Sequence, residues 1–480
     1  MTATVDFAAA RPPLSRTLGR GRRASLASLL AFLVGAGLQV ALYQSLAPLL
    51  LALVVLLPPV LFLSMRGSGD RQDSTIFVRS FSIGLLAAGI ASYYAIALYD
   101  PLQLASDAYS FFDLSSRAGA VRSLQDLRTV TEGSGAVVLW SWFYDTAALL
   151  GFPREQYVGI TMNVLIVAIA SVVCARSARE LYGHDDYRFQ RLTLFISISG
   201  NLWLLAGVHL RDSVIYLAIA LLSHFWIRYL ARVETGKLTA AVVVTLGMMP
   251  TLQVLRAEFF FIPIIIAAMA MISLNFSRGR GDSRFIMLLS TLLGSALVVL
   301  AVVVFGDEIQ RMLLTGQDQY SSAANQESRS GSLGTSLIVN QPFYIRLALG
   351  LPYLFYFPIP AWNGLDSNSA IPFFKSLNAV TFYAISGFVF VGIYRIARDP
   401  RLRSPAFVFV SATPVVLSAI IVMTSLETRH LAAFMSFFFL TGLLPDLRDP
   451  ADRSTVRLVL TTIILGMLLV HGAWFGLRYA

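Results

Sequence analysis

The sequence predicts an all-α protein, a polytopic bundle of transmembrane helices, and two observations carry that expectation. Of its 480 residues 56% are hydrophobic and only 13% are charged, with a mean hydropathy of +0.69, which leaves too little polar surface to cover a water-soluble globule of this length. Uninterrupted apolar runs recur along most of the chain, and each can supply the roughly 20 residues a helix needs to cross the hydrocarbon. An outer-membrane barrel would instead show alternating strands of about ten residues. These runs do not alternate.

Taken in order, Arg11, Arg16, Arg20, Arg22 and Arg23 precede the first run. With no small-residue cleavage site after a short apolar core, residues 1–24 read as a retained cytoplasmic tail rather than a signal peptide. Residues 25–476 read as one bundle of about 13 spans. The expected spans are 25–43, 46–64, 80–99, 157–175, 192–208, 214–231, 239–255, 258–276, 285–305, 378–395, 406–424, 430–445 and 458–476. Segments 136–151 and 342–362 are also apolar, but both lie beside long polar stretches, and Pro352, Pro358 and Pro360 interrupt the second. They read as re-entrant or interfacial helices. Cys174 has no thiol partner and reads as an apolar filler.

Orientation follows from arginine. If the tail is cytoplasmic, that side also carries Arg66, Arg71 and Arg79, then Arg176, Arg179, Arg188 and Arg191, then Arg232 and Lys237, then Arg278, Arg280 and Arg284, then Arg395, Arg398, Arg401 and Arg403, then Arg448, Arg453 and Arg457. This positive-inside pattern accounts for the net charge of +10 better than nucleic-acid binding does, because the arginines are spread between spans rather than gathered on a soluble domain. It leaves 100–135 and 306–341 as long extracytoplasmic loops.

The extracytoplasmic face should then be poor in arginine, yet its short turns carry charged groups. Arg211 and Asp212 sit at the lip of one span, Arg256 and Glu258 in a second turn, and Glu427, Arg429 and His430 in a third. Each set has a plainer use: Asp212 can favour a helix dipole, Arg211 can reach toward headgroups, and Arg256 with Glu258 can be a structural ion pair. Three charged turns on one face are more economically a shared polar chamber. The first long loop adds Asp107 and Asp113 with Tyr109 between them. Their spacing is not a compact metal-binding Asp-x-Asp, and neither metal nor other cofactor is expected. Asp107 is a candidate general base, the alternative being a solvated carboxylate or helix cap. Tyr353, Tyr356 and Trp362 read as interfacial anchors more readily than as sugar-stacking rings. No nucleotide phosphate loop or dinucleotide fingerprint occurs.

The order "SDAYSFFDLSSR", "HLRDSVIYLAIALL", "LRAEFFFIPIIIAA", "YFPIPAW" and "ETRHLAAF" over residues 80–446 resembles the polytopic GT-C-like glycosyltransferases of bacterial envelope polysaccharide synthesis. Its arginine-rich outer face is similar to O-antigen polymerases (Wzy-type) and EpsG-like exopolysaccharide proteins. Tandem acidic pairs typical of many polyprenyl-phosphate-sugar transferases are absent from the first long loop, which favours the polymerase or ligase branch over the monosaccharide transferases. The resemblance implies a multi-pass protein of the bacterial inner membrane, acting on a polyprenyl-pyrophosphate-linked oligosaccharide among membrane lipids. Polysaccharide export and chain-length-control proteins are the partners it suggests. On this reading Arg211, Arg256 and Arg429 bind the carrier pyrophosphate, with Asp212, Glu258, Glu427 and Tyr109 beside them, and Asp107 or His430 accepts the acceptor proton. Two alternatives stay open: a polyprenyl-phosphate-dependent GT-C monosaccharide transferase, and a polysaccharide or lipid transporter. Broken helices and intramembrane charges would also mark a transporter, although no internal repeat is visible.

Overall fold

The computed structural model describes residues 14–65, 68–99, 107–117, 134–276, 292, 338, 341–365, 367–424 and 426–479. Among them there is no strand, and ten helical segments are long and apolar enough to cross a membrane. The protein is an all-α polytopic bundle. The expected span 285–305 lies outside the described residues apart from Leu292, as does loop 306–341 apart from Ile338 and Gln341.

The chain opens with α1 (Leu14–Tyr43), α2 (Ala47–Ser64) and α3 (Ser68–Ala97). Helices α1 and α3 touch backbone to backbone, since a Cβ on Gly35 would lie 2.5 Å from the Leu85 carbonyl and one on Gly89 2.8 Å from the Gly35 oxygen. Without a hydrophobic drive between helices in lipid, such small-residue contacts are a principal source of association. Next come the short α4 (Asp107–Ser116), α5 (Ser134–Leu149) and α6 (Gln156–Tyr182). Helix α6 is the hub. Its span is 83% buried, against 6% for the last helix, α17 (Pro450–Tyr479), which offers most of its apolar surface outward.

Residues 192–208, expected as one span, instead form the end of α7 (Asp186–Ile198) and α8 (Gly200–Gly207). The break has local causes. Ser199 is extended, and its hydroxyl accepts a bond from the Leu202 amide as an N-cap. Gly200 sits so close to α13 (Ala370–Arg398) that a Cβ there would meet the Asn378 nitrogen at 2.2 Å. After α8 the chain extends through Val208 and re-enters α9 (Asp212–Ala231), followed by α10 (Thr235–Leu255) and α11 (Ile262–Ser273).

The second half holds α12 (Phe343–Tyr356), α13, α14 (Pro405–Thr424), α15 (Thr428–Ala432), α16 (Met435–Gly442) and α17. Residues 430–445, also expected as a span, are divided between α15 and α16, of five and eight residues, and almost wholly buried. Hydropathy alone does not separate a short buried helix from a span. Helices α5 and α12, at 16 and 14 residues, rise about 24 and 21 Å, short of the ~30 Å hydrocarbon core. Tyr353 and Tyr356 are buried within the bundle, with the Tyr356 hydroxyl donating to Ser386 Oγ at 3.0 Å.

Candidate functional site

Charged groups gather at the two ends of the bundle. At one end they are structural: Asp73 holds Arg176 and Arg179, while Arg191 donates to the carbonyls of Pro445 and Leu443. Arg448 bridges Asp185 and Asp446 nearby. These arginines belong to the set that the sequence leads one to expect on the side of the N-terminal tail.

The other end is the candidate site. Its first component is the turn between α8 and α9, which Asn163 of α6 clamps. The Asn163 amide donates to the carbonyls of Val208 at 2.8 Å and Leu210 at 3.2 Å. Its oxygen accepts from Ser213 Oγ at 2.8 Å and Trp140 Nε1 at 3.2 Å. His209 is fully buried, its ring 4.2 Å from that of Trp140. The clamp presents Arg211 and places Asp212 as the first residue of α9, where the helix dipole favours a carboxylate.

Arg256, which ends α10, meets Asp212 at 3.1 Å with both side chains 5% exposed, and Glu258 at 3.5 Å. Arg429 in α15 meets Asp107 at 3.6 Å. Glu427 caps α15 by accepting from the Arg429 amide at 3.4 Å, and it pairs with Lys375 of α13 at 3.0 Å. His430 is buried, its ring edge-to-face with that of Phe259 at 6.0 Å between centres. Burial, then the charges of Arg256, Arg429, Arg211 and Lys375, hold the His430 imidazole well below its ordinary value. Four cations from four separate elements therefore converge on one histidine. Glu427 is driven down to about 2, because Lys375 and Arg429 overcome the opposing effect of its burial.

Three of the four cations have a carboxylate against them. Arg211 does not. It is 8% exposed and, among the described residues, forms no ion pair or hydrogen bond; it lies 5.5 Å from the centre of the Phe111 ring. Asp212, Glu258 and Asp107 act on it only at longer range, while burial and then Arg256 pull its guanidinium below the usual value. Arg211 therefore does not reach for headgroups as a helix-end anchor would.

The structure thus brings together Arg211, Asp212, Arg256, Glu258, Glu427, Arg429, His430 and Asp107. Tyr109 is exposed and packs on Phe112 instead, at 6.4 Å. Lys375 is the member that sequence reasoning missed, although it is one of only two lysines in an arginine-rich chain. Among the described residues no group of three or more His, Cys, Asp or Glu side chains is arranged to hold a metal ion. No protein-family model matches this chain, and no curated protein matches it either.

Proposed function

We propose that the chain is a membrane glycosyltransferase of the GT-C-like kind, a polysaccharide polymerase that moves glycan from a polyprenyl-pyrophosphate carrier to a sugar hydroxyl at the extracytoplasmic face. The observation that carries the reading is the buried Arg211 guanidinium, which has no carboxylate in direct contact among the described residues. A buried charge left uncompensated is costly, and a pyrophosphate supplies both the compensation and a planar, bidentate geometry that suits guanidinium. The neighbouring cations stabilise charge that develops on the leaving pyrophosphate as the glycosidic bond breaks. Asp107, 53% exposed, faces the side from which an acceptor hydroxyl arrives and takes its proton. His430 starts as a neutral, weak base, and a bound anion raises its basicity. The site end lies outside the cytoplasm by the arginine pattern, which impermeant maleimide labelling of Ser116→Cys in intact cells tests.

The deciding experiment is transfer by purified protein from a polyprenyl-pyrophosphate-linked glycan. Arg211→Lys keeps charge but loses the planar fork, so transfer should fall roughly tenfold or more with membrane abundance unchanged. Unchanged transfer removes the phosphate contact. A transporter reading has one observation of its own, the interrupted run α7, α8, α9 beside the site. Against it, the ion pairs among the described residues lie within about two turns of helix ends rather than through the depth of the bundle. Carrier translocation in proteoliposomes without transfer would support it.

A further inference from the structure

The cations at the site are not equivalent in their partners. Arg256 is held by Asp212 in a buried pair, and Arg429 faces the half-exposed Asp107. Lys375 differs from both. It comes from α13, an element other than the turns that carry the arginines, and its ammonium lies 5.9 Å from the Phe357 ring centre and 3.0 Å from Glu427 Oε1. The Lys375 and Glu427 side chains are 14% and 20% exposed, so the pair is partly open to whatever enters the site. Glu427 is also the cap of α15, and through its own backbone it is two residues from Arg429 and three from His430. A single carboxylate therefore touches a cation on α13 and the amide of Arg429 on α15.

We infer that Lys375 is a fourth anion-binding cation of the site and that Glu427 is its built-in competitor, a carboxylate that occupies the ammonium until a phosphate oxygen of the ligand displaces it. The inference rests on the pyrophosphate reading of the site. Its physical basis is that an ammonium accepts a carboxylate or a phosphate oxygen with the same donors, and that a compact point charge on a flexible stem can swing between them. Glu427 keeps its cap to Arg429 whether or not Lys375 stays with it. Glu427→Gln retains the carbonyl oxygen for that cap while losing the charge that competes for Lys375.

The two members of the pair should then respond with opposite signs. With the full-length protein in phosphatidylcholine nanodiscs, so that no anionic headgroup competes, inorganic pyrophosphate binding is measured by calorimetry for wild type, Lys375→Gln, Lys375→Arg, Glu427→Gln and Arg211→Gln. The expected result is binding weakened roughly tenfold by Lys375→Gln and kept by Lys375→Arg, with Glu427→Gln binding several-fold tighter than wild type. A purely structural salt bridge predicts something else: both neutral variants weaken together. That outcome, or unchanged affinity in Glu427→Gln, overturns the competitor role. Wild-type affinity in Lys375→Gln, with binding lost in Arg211→Gln, removes Lys375 from the site and leaves the pyrophosphate reading standing. No pyrophosphate binding by the wild type removes both.

Discussion

Arg256 and Asp212 lie 3.1 Å apart, each side chain 5% exposed, joining the end of α10 to the start of α9. A pair this buried adds little net stability over an apolar substitute, because desolvation of both charges offsets their attraction. Breaking it from one side is another matter. Asp212→Asn leaves a buried guanidinium whose remaining carboxylate, Glu258, is half exposed. The expected loss is about 3–5 kcal/mol, read as a drop in thermal unfolding temperature in detergent. The double variant Arg256→Met/Asp212→Leu should recover most of it. If the single variant unfolds no earlier than wild type, the pair is not the joint between these two turns.

Asp107 and His430 divide the proton-transfer role unequally. Asp107 stands at the solvent side of Arg429, whereas His430 is buried and held neutral by burial and four cations. On the proposed reaction, Asp107→Asn should lower kcat by roughly 10²–10⁴-fold with little change in KM. His430→Gln should cost far less in kcat. Steady-state transfer kinetics with a lipid-linked donor check this, and the reverse ranking would assign the base to His430.

Much of the site was legible in the sequence because it is written in charge. Arg211, Arg256 and Arg429 each stand out in short turns of an apolar chain, and alternation of loops places those turns at one end. Lys375 was not legible, since a single lysine near the start of an expected span looks like an ordinary boundary residue. The membrane class follows from composition alone, but the number of spans does not. Residues 192–208 and 430–445 have the hydropathy of a span while Ser199–Gly200 and Ala433–Phe434 interrupt them. Such breaks depend on what packs against the chain, as at Gly200, where a Cβ would lie 2.2 Å from the Asn378 nitrogen, and no local pattern encodes a distant neighbour.

Stability should decline in mildly acidic solution. Burial pulls the His209 imidazole down to about 3, and His430 moves the same way. An unfolded histidine takes up a proton as pH falls through about 6.5, while these two stay neutral when folded. Below about 6.5 the unfolded chain therefore binds more protons, and stability falls with falling pH by at most about 1.4 kcal/mol per pH unit for each histidine. Thermal unfolding followed from pH 7.5 to 5.5, above the carboxylate range, should show this slope. His209→Asn should flatten part of it, and identical slopes in the two proteins would mean that His209 titrates normally.

His209 also ties the geometry of Arg211 to a glycine on another helix. A Cβ on Gly159 of α6 would lie 1.9 Å from His209 Nε2 and 2.7 Å from the Tyr144 hydroxyl, and that hydroxyl accepts a hydrogen bond from the Gly159 amide at 3.2 Å. Neither ring nitrogen of His209 reaches a hydrogen-bond partner on another described residue, so shape rather than polarity seats the imidazole, between Trp140 and α6. Gly159→Ala must displace it. The displacement moves the turn that Asn163 clamps, and with it Arg211 two residues on. The expected outcome is a loss of pyrophosphate binding by roughly tenfold or more, since a misplacement of about 1 Å is enough to spoil a bidentate contact. His209→Ala opens the space that the added methyl needs. The double variant Gly159→Ala/His209→Ala should therefore bind better than Gly159→Ala alone. If instead the two losses simply add, Gly159 and His209 act independently, and the seat of the imidazole does not position Arg211.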